Sequence, residues 1–327
     1  MAVYTKITSE ELALHLTNYD IGELVEFKEI IDGIDNSNFI VKTSKNTFIF
    51  TIFESRIDKN SLDYFINFKE HLSSKNISCP TPIKSKNLQT ILDFKNKKTV
   101  LVSFLNGLTL KAHEDGYFYN ITNNHCFQIG SILAKMHLTS IDFKLVRQND
   151  LAIKDFENLF NKFKHLVDAY DPNLNKLISK TLTTLNTSWN IDLESIPCHL
   201  DLFPDNVFFD ESKKISGVID FYFSANDLLI YDFAIVVNAW CFDKTTFNFD
   251  KFDSLLNSYQ KIRPFSSKEL NFLETALIGA SMRFLLTRLH DMFFTPKDSI
   301  VKIKNPLEYK EKLLFFINNK ILHNDKL

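Results

Sequence analysis

Glycine is scarce, with seven in 327 residues and no two close together. Neither a G-x-x-x-x-G-K-[ST] nor a G-x-G-x-x-G phosphate loop can therefore be assembled. The same scarcity argues against a β-rich fold of tight glycine turns and excludes a collagen-like repeat. H-E-x-x-H and G-x-S-x-G are absent, and the nine histidines do not fall at metal-ligand spacing. Only four cysteines occur, Cys79, Cys126, Cys198 and Cys241, with no C-x-x-C pair. They suit neither a zinc site nor a disulfide framework, and read as reduced thiols packed as small hydrophobes. Charge of one sign is lacking too: 38 Lys+Arg against 40 Asp+Glu leave a net −2. That balance argues against a dedicated nucleic-acid or membrane-surface binder, which draws affinity from a basic field. No run approaches 18 apolar residues, and Met1 to Lys6 lacks the basic and apolar regions of a signal peptide. A cytoplasmic protein is expected.

What the chain does have is apolar mass. Apolar residues make up 45% of it, including 32 Phe. This is enough for a large core and excludes disorder. The length predicts one large domain or two modest ones. Strands are expected over 25–31, 39–43, 47–53 and 99–104, with Ser44-Lys45-Asn46 joining the middle pair as a hairpin. Ser61 offers an N-cap for a helix that buries Leu62, Phe65, Phe68 and Leu72. Cys79-Pro80-Thr81-Pro82 must be extended, since each proline pushes its predecessor out of the helical region. Past Asn106-Gly107 the texture turns helical, over 123–138, 151–169, 173–189, 228–241, 251–261, 267–292 and 306–322. Two lobes are expected, 1–104 and 105–327.

One segment interrupts the helices: Cys198-His199-Leu200-Asp201-Leu202-Phe203-Pro204-Asp205-Asn206, followed by apolar Val207-Phe208-Phe209. A second short strand, 214–221, carries Asp220 near its end. A hairpin of the two would set Asn206 beside Asp220. An amide oxygen and a carboxylate there suit a hard cation such as Mg²⁺. Asp201, on the entering loop, can accept a proton from a nucleophile in the same space. That is the arrangement phosphoryl transfer requires. The bland alternative makes these acids turn residues or helix caps. The flanking strands, the strand-ending Asp and the strand-then-helix order favour the kinase-type site.

The set His199-x-Asp201-x-x-x-x-Asn206 with Ile219-Asp220 resembles the catalytic loop and metal aspartate of the aminoglycoside-phosphotransferase and choline-kinase group. Further stretches are similar to the homoserine kinase family within that group. They are Tyr4 to Asp20, Asn36-Ser37-Asn38-Phe39, Asp220 to Asp227, Tyr231-Asp232 through Phe242, Arg283 to Arg288 and Asn305-Pro-Leu-Glu-Tyr309. The resemblance implies an α+β, two-lobed protein-kinase-like fold. A small antiparallel-sheet N-lobe would cover the nucleotide, and a larger helical C-lobe would carry catalysis. ATP, Mg²⁺ and L-homoserine would be the ligands, with no nucleic acid or membrane partner, in a monomer or weak homodimer. Asp201 would be the general base and His199 would orient its loop. Asn206 and Asp220 would hold the metal. Gly33, Asn36, Ser37 and Asn38 would form the turn over the phosphates, and Ser103 to Leu105 the hinge that meets adenine. Tyr222, Asn226, Arg283 and Arg288 are candidates for the acceptor, the arginines because a carboxylate suits a bidentate guanidinium. Asp291 or Asp232 could equally neutralise those arginines, and Asp232 also suits the dipole of its helix. One departure stands out: Thr51 and Phe65 occupy the positions where such kinases carry a Lys–Glu pair, leaving Arg56, Lys42 and Lys28 as candidate phosphate anchors. A kinase of choline or methylthioribose, or a non-catalytic nucleotide-binding module, are the alternatives.

Overall fold

The computed structural model describes residues 5–30, 36–54, 59–296 and 303–322. The chain divides into two compact units, Met1–Leu108 with Phe208–Ile219, and Thr109–Val207 with Asp220–Leu327.

The chain opens with α1 (Ser9–Leu16), β1 (Leu24–Ile30), β2 (Asn36–Thr43), β3 (Thr47–Phe53), α2 (Lys59–Ser74), β4 (Ile91–Phe94) and β5 (Lys97–Ser103). The five strands form one antiparallel sheet in the order β1-β2-β3-β5-β4. Alternation along β2 and β3 sends Phe39, Val41, Phe48, Phe50 and Ile52 into a core with Leu101, Leu12 and Leu16. The hairpin at 44–46 forms as expected, with Thr43 N donating to Asn46 O (2.9 Å). Helix α1 was not anticipated. It is held by a capping box in which Thr8 accepts from Glu11 N (3.2 Å) and Glu11 accepts from Thr8 N (2.8 Å). Helix α2 starts at Lys59, so Ser61 lies inside the helix instead of capping it. The predicted face is correct: Leu62, Phe65, Phe68 and Leu72 are all buried. The segment at Pro80 and Pro82 is extended, since Pro82 bridges Val102 and Thr81 exchanges hydrogen bonds with Ser103.

There follow β6 (Leu108–Thr109), α3 (Asn123–Ser140), α4 (Phe156–Asn161), α5 (Lys164–Tyr170), α6 (Leu174–Ser188) and β7 (Ser195–Cys198). Next come β8 (Val207–Phe209), β9 (Ile215–Val218), β10 (Ala225–Leu228), α7 (Leu229–Trp240), β11 (Phe242–Asp243) and β12 (Thr246–Phe247). The chain ends in α8 (Phe249–Gln260), α9 (Ser267–Phe294) and α10 (Leu307–Asn318). The single helix expected over 151–169 is two, α4 and α5. Phe163 interrupts it at φ −132° and ψ 6°. Its fully buried ring packs on Phe160 and Phe293, and that burial outweighs one helical turn. Strand β9 stops at Val218, earlier than expected, because Asp220 takes a left-handed conformation (φ +64°) and Phe221–Phe223 coil into a 3₁₀ turn.

Helix α7 is buried at all twelve positions, and α3 packs on α8 at Gly130. The four cysteines are buried. No helix among the described residues is long and apolar enough to cross a membrane.

Candidate active site

The loop leaving β7 carries His199, Leu200 and Asp201. Leu200 sits at φ +62°, a conformation that a leucine adopts only when its surroundings impose it. Two side chains impose it. The Asp232 carboxylate accepts from His199 N (3.0 Å) and Leu200 N (2.9 Å). Arg283 donates Nη1 to Leu200 O (2.7 Å). Asp232 thus does more than complement the dipole of α7: it clamps the backbone that delivers Asp201. It is fully buried, which alone would push its pKa up, but the hydrogen bonds it accepts from His137 and from the Leu200 amide hold it below the ordinary range.

The clamp continues outward. His137 on α3 approaches Asp232 through Nε2 (3.1 Å) and the Tyr259 hydroxyl through Nδ1 (2.6 Å). An ionised Asp232 needs a donor, so the imidazole proton sits on Nε2 and Tyr259 donates to Nδ1. Burial lowers the His137 pKa, which keeps the ring neutral. Arg263 then donates to the Tyr259 oxygen (3.0 Å) and to Glu269 (2.7 Å). Cys198 Sγ lies within 4.8 Å of the same His137 and Asp232 atoms. Burial raises its pKa well above the ordinary thiol range, so it stays protonated and donates to Ile196 O (3.2 Å).

Beyond the clamp, Asp201 and Asn206 meet directly. Asn206 Nδ2 donates to Asp201 O (2.8 Å) and to its carboxylate (3.3 Å). Both amide hydrogens are engaged on Asp201, which leaves Asn206 Oδ1 as the oxygen that a hard cation would take. Asn206 enters β8 and Asp220 follows β9, and the two strands are neighbours in one sheet. The Asp201 pKa is pushed up to about 7, first by burial and then by the negative charge of Asp220, with Arg283 and Lys304 opposing. His199 contributes less chemistry: its Nδ1 accepts from Asp201 N (3.2 Å) and its ring packs on Phe221.

The other predicted residues divide between the units. Asn36, Ser37 and Asn38 begin β2. Asn36 accepts from Glu54 N (3.4 Å), Ser37 donates to Glu54 (2.8 Å), and Asn38 accepts from Thr51 (2.7 Å). Thr51 and Asn38 therefore satisfy each other at the position where a Lys was missed. Gly33 and Arg56 lie outside the described residues. Lys42 is exposed beside Glu26 (3.7 Å), and Lys28 is exposed. Ser103 ends β5, and the Leu105 side chain lies where a Cβ on Gly217 would be. In the second unit, Tyr222 belongs to the 3₁₀ turn after Asp220, and Asn226 on β10 accepts from Arg147 N (3.1 Å). Arg283 is 1% exposed. Arg288 pairs with Glu308 (2.6 Å) and donates to Asn305 O (2.9 Å), so neither Asp232 nor Asp291 is its partner. Sequence reasoning missed His137, Tyr259 and Lys304. Their signals are scattered over three distant segments, so only the fold brings them near the 198–206 loop.

Residues 26–265 match the phosphotransferase enzyme family. The chain belongs to that family. Within this phosphotransferase family, it is 41% identical over 316 residues to a homoserine kinase of Agrobacterium fabrum, covering 96% of this chain and 95% of the relative. It is 40% identical over 316 residues to a homoserine kinase of Parvibaculum lavamentivorans, covering 96% of each. Among solved structures, a microcompartment-associated aminopropanol kinase superposes with a TM-score of 0.70 at 14% identity, covering 94% of this chain and 96% of that one. The last likeness concerns the fold alone, which is protein-kinase-like and α+β, as expected from the sequence. Phosphotransferase family membership makes the chain an ATP-dependent small-molecule kinase.

Proposed function

We infer that this chain transfers the γ-phosphoryl group of ATP to the hydroxyl of L-homoserine, giving O-phospho-L-homoserine and ADP, a cytoplasmic step of threonine synthesis. Similarity to homoserine kinases at about 40% identity over 96% of the chain supports the acceptor. The observation that carries the chemistry is the Asn206–Asp201 contact beside Asp220.

In this reading Asp201 accepts the hydroxyl proton as the homoserine oxygen bonds to the γ-phosphorus and the bond from that phosphorus to the β–γ bridging oxygen breaks. A carboxylate poised near neutral pH suits that role. Asn206 Oδ1 and Asp220 would hold Mg²⁺, which neutralises phosphate charge when bound. Asp232 and Arg283 hold the backbone on either side of the Leu200 peptide, so that Asp201 is aimed before the substrate arrives. The nucleotide is assigned to residues 33–38, of which Asn36, Ser37 and Asn38 open β2, and to Ser103–Leu105, with 1–104 as the nucleotide lobe and 105–327 as the catalytic one.

A coupled ADP assay tests this with L-homoserine, choline and methylthioribose as acceptors. Homoserine should give the highest kcat/KM. Asp201→Ala should lower kcat by about 100-fold or more, the range for a general base, while ATP binding survives. Asp220→Ala should instead abolish Mg-ATP binding. Preference for another acceptor would reassign the substrate. No Mg-dependent turnover of any acceptor would favour a non-catalytic nucleotide-binding module.

A further inference from the structure

Homoserine differs from a plain amino alcohol by a carboxylate, and reading it requires a cation that solvent-borne substrate can reach. The two arginines singled out by sequence are both buried. Arg283 holds Leu200 O through Nη1 and its Nε has no hydrogen-bond partner among the described residues, but at 1% exposure it is closed to a substrate arriving from solvent. Arg288 is 8% exposed and is bound to Glu308 and Asn305 O.

The Asn305-Pro-Leu-Glu-Tyr309 segment remains unexplained by the catalytic chemistry. The structure shows it to be rigidly fastened. Glu308 accepts from Arg288 (2.6 Å) and from Lys312 (2.6 Å). Arg288 also lies over the Tyr309 ring (4.5 Å), and Asn305 Oδ1 accepts from Leu307 N (2.9 Å). What this fastening presents is the residue just before it. Lys304 Nζ lies 3.8 Å from Asp205 and 5.6 Å from the centre of the Phe203 ring, both on the catalytic loop. Its side chain is 51% exposed. The 3.8 Å contact is too long for a good charge-assisted hydrogen bond, so the ammonium keeps donors to offer. Its charge also reaches Asp201.

We propose that Lys304 is the specificity-determining cation that binds the acceptor's carboxylate, with Arg288 acting as a positioning residue that fastens the segment carrying it. The proposal rests on the homoserine reading above. It also gives the two arginines on α9 separate tasks: one holds the loop of Asp201 and the other holds the carboxylate reader.

The test pairs a side-chain change with a substrate change. 3-Aminopropan-1-ol is homoserine without its carboxylate. Lys304→Met should raise the KM for L-homoserine about tenfold or more, with kcat and the KM for ATP changed less than about threefold. Its kcat/KM for 3-aminopropan-1-ol, or that alcohol's Ki against homoserine turnover where it is not itself turned over, should change less than about twofold. Lys304→Arg should restore most of the homoserine KM. Equal losses on both acceptors, or a loss confined to the KM for ATP, would overturn the proposal. A wild-type protein inert toward homoserine would instead sink the activity on which it rests, an outcome visible before any variant is made.

Discussion

Asp201 carries a conflict between stability and function at the scale of one side chain. Its folded pKa is raised to about 7, first by burial and then by Asp220, against an unfolded value of about 3.9. Between those values the folded protein binds more protons than the unfolded chain, so this residue's contribution to stability falls as pH rises through the window. Asp201→Asn should therefore raise metal-free stability by on the order of 1–2 kcal/mol at pH 8 and by little at pH 4, while removing turnover. Urea unfolding at the two pH values checks this, and an equal gain at both would refute the assignment of the shift. The proposed site residues were drawn from the His199, Asp201, Asn206 and Asp220 spacing. The role of Asp232 was not. Its first-turn position suggested a dipole partner, and only the fold brings the His199 and Leu200 amides to it.

At the scale of elements, α3 and α8 meet through Gly130. A Cβ there would lie 2.3 Å from Leu255 O and 2.1 Å from Ser258 Oγ. The first of these is backbone and cannot rotate away. Gly130→Ala should cost about 1–3 kcal/mol despite alanine's better helix propensity, and thermal unfolding measures it. The cost should spread to the His137–Tyr259 contact, which joins the same two helices. Element type was mostly readable because the periodicities were strong, as in the buried face of α2. Boundaries failed where local geometry overruled pattern. Phe163 broke a helix to bury its ring, and Asp220 ended a strand by turning left-handed. Helix α1 is only eight residues long, and its one written signal was the Thr8-x-x-Glu11 box.

At the scale of the whole molecule, nucleotide binding is linked to folding. A ligand that binds only the native state at 100 times its Kd adds about 2.7 kcal/mol. Mg-ATP should therefore raise the unfolding temperature, EDTA should reverse the gain, and Asp220→Ala should abolish it. A gain that survives chelation would argue against a metal held at Asn206 and Asp220. By itself the sequence determined the reaction class and most of the longer helices and strands, because both depend on short spacings: a period of 2 or 3.6 for burial, and four residues between Asp201 and Asn206. Only the tertiary structure decided which groups keep Leu200 left-handed and that Lys304 stands accessible beside Asp205. Those contacts join residues 95 and 122 positions apart, as in His137 to Asp232 and to Tyr259, and no local pattern encodes a partner at such a distance.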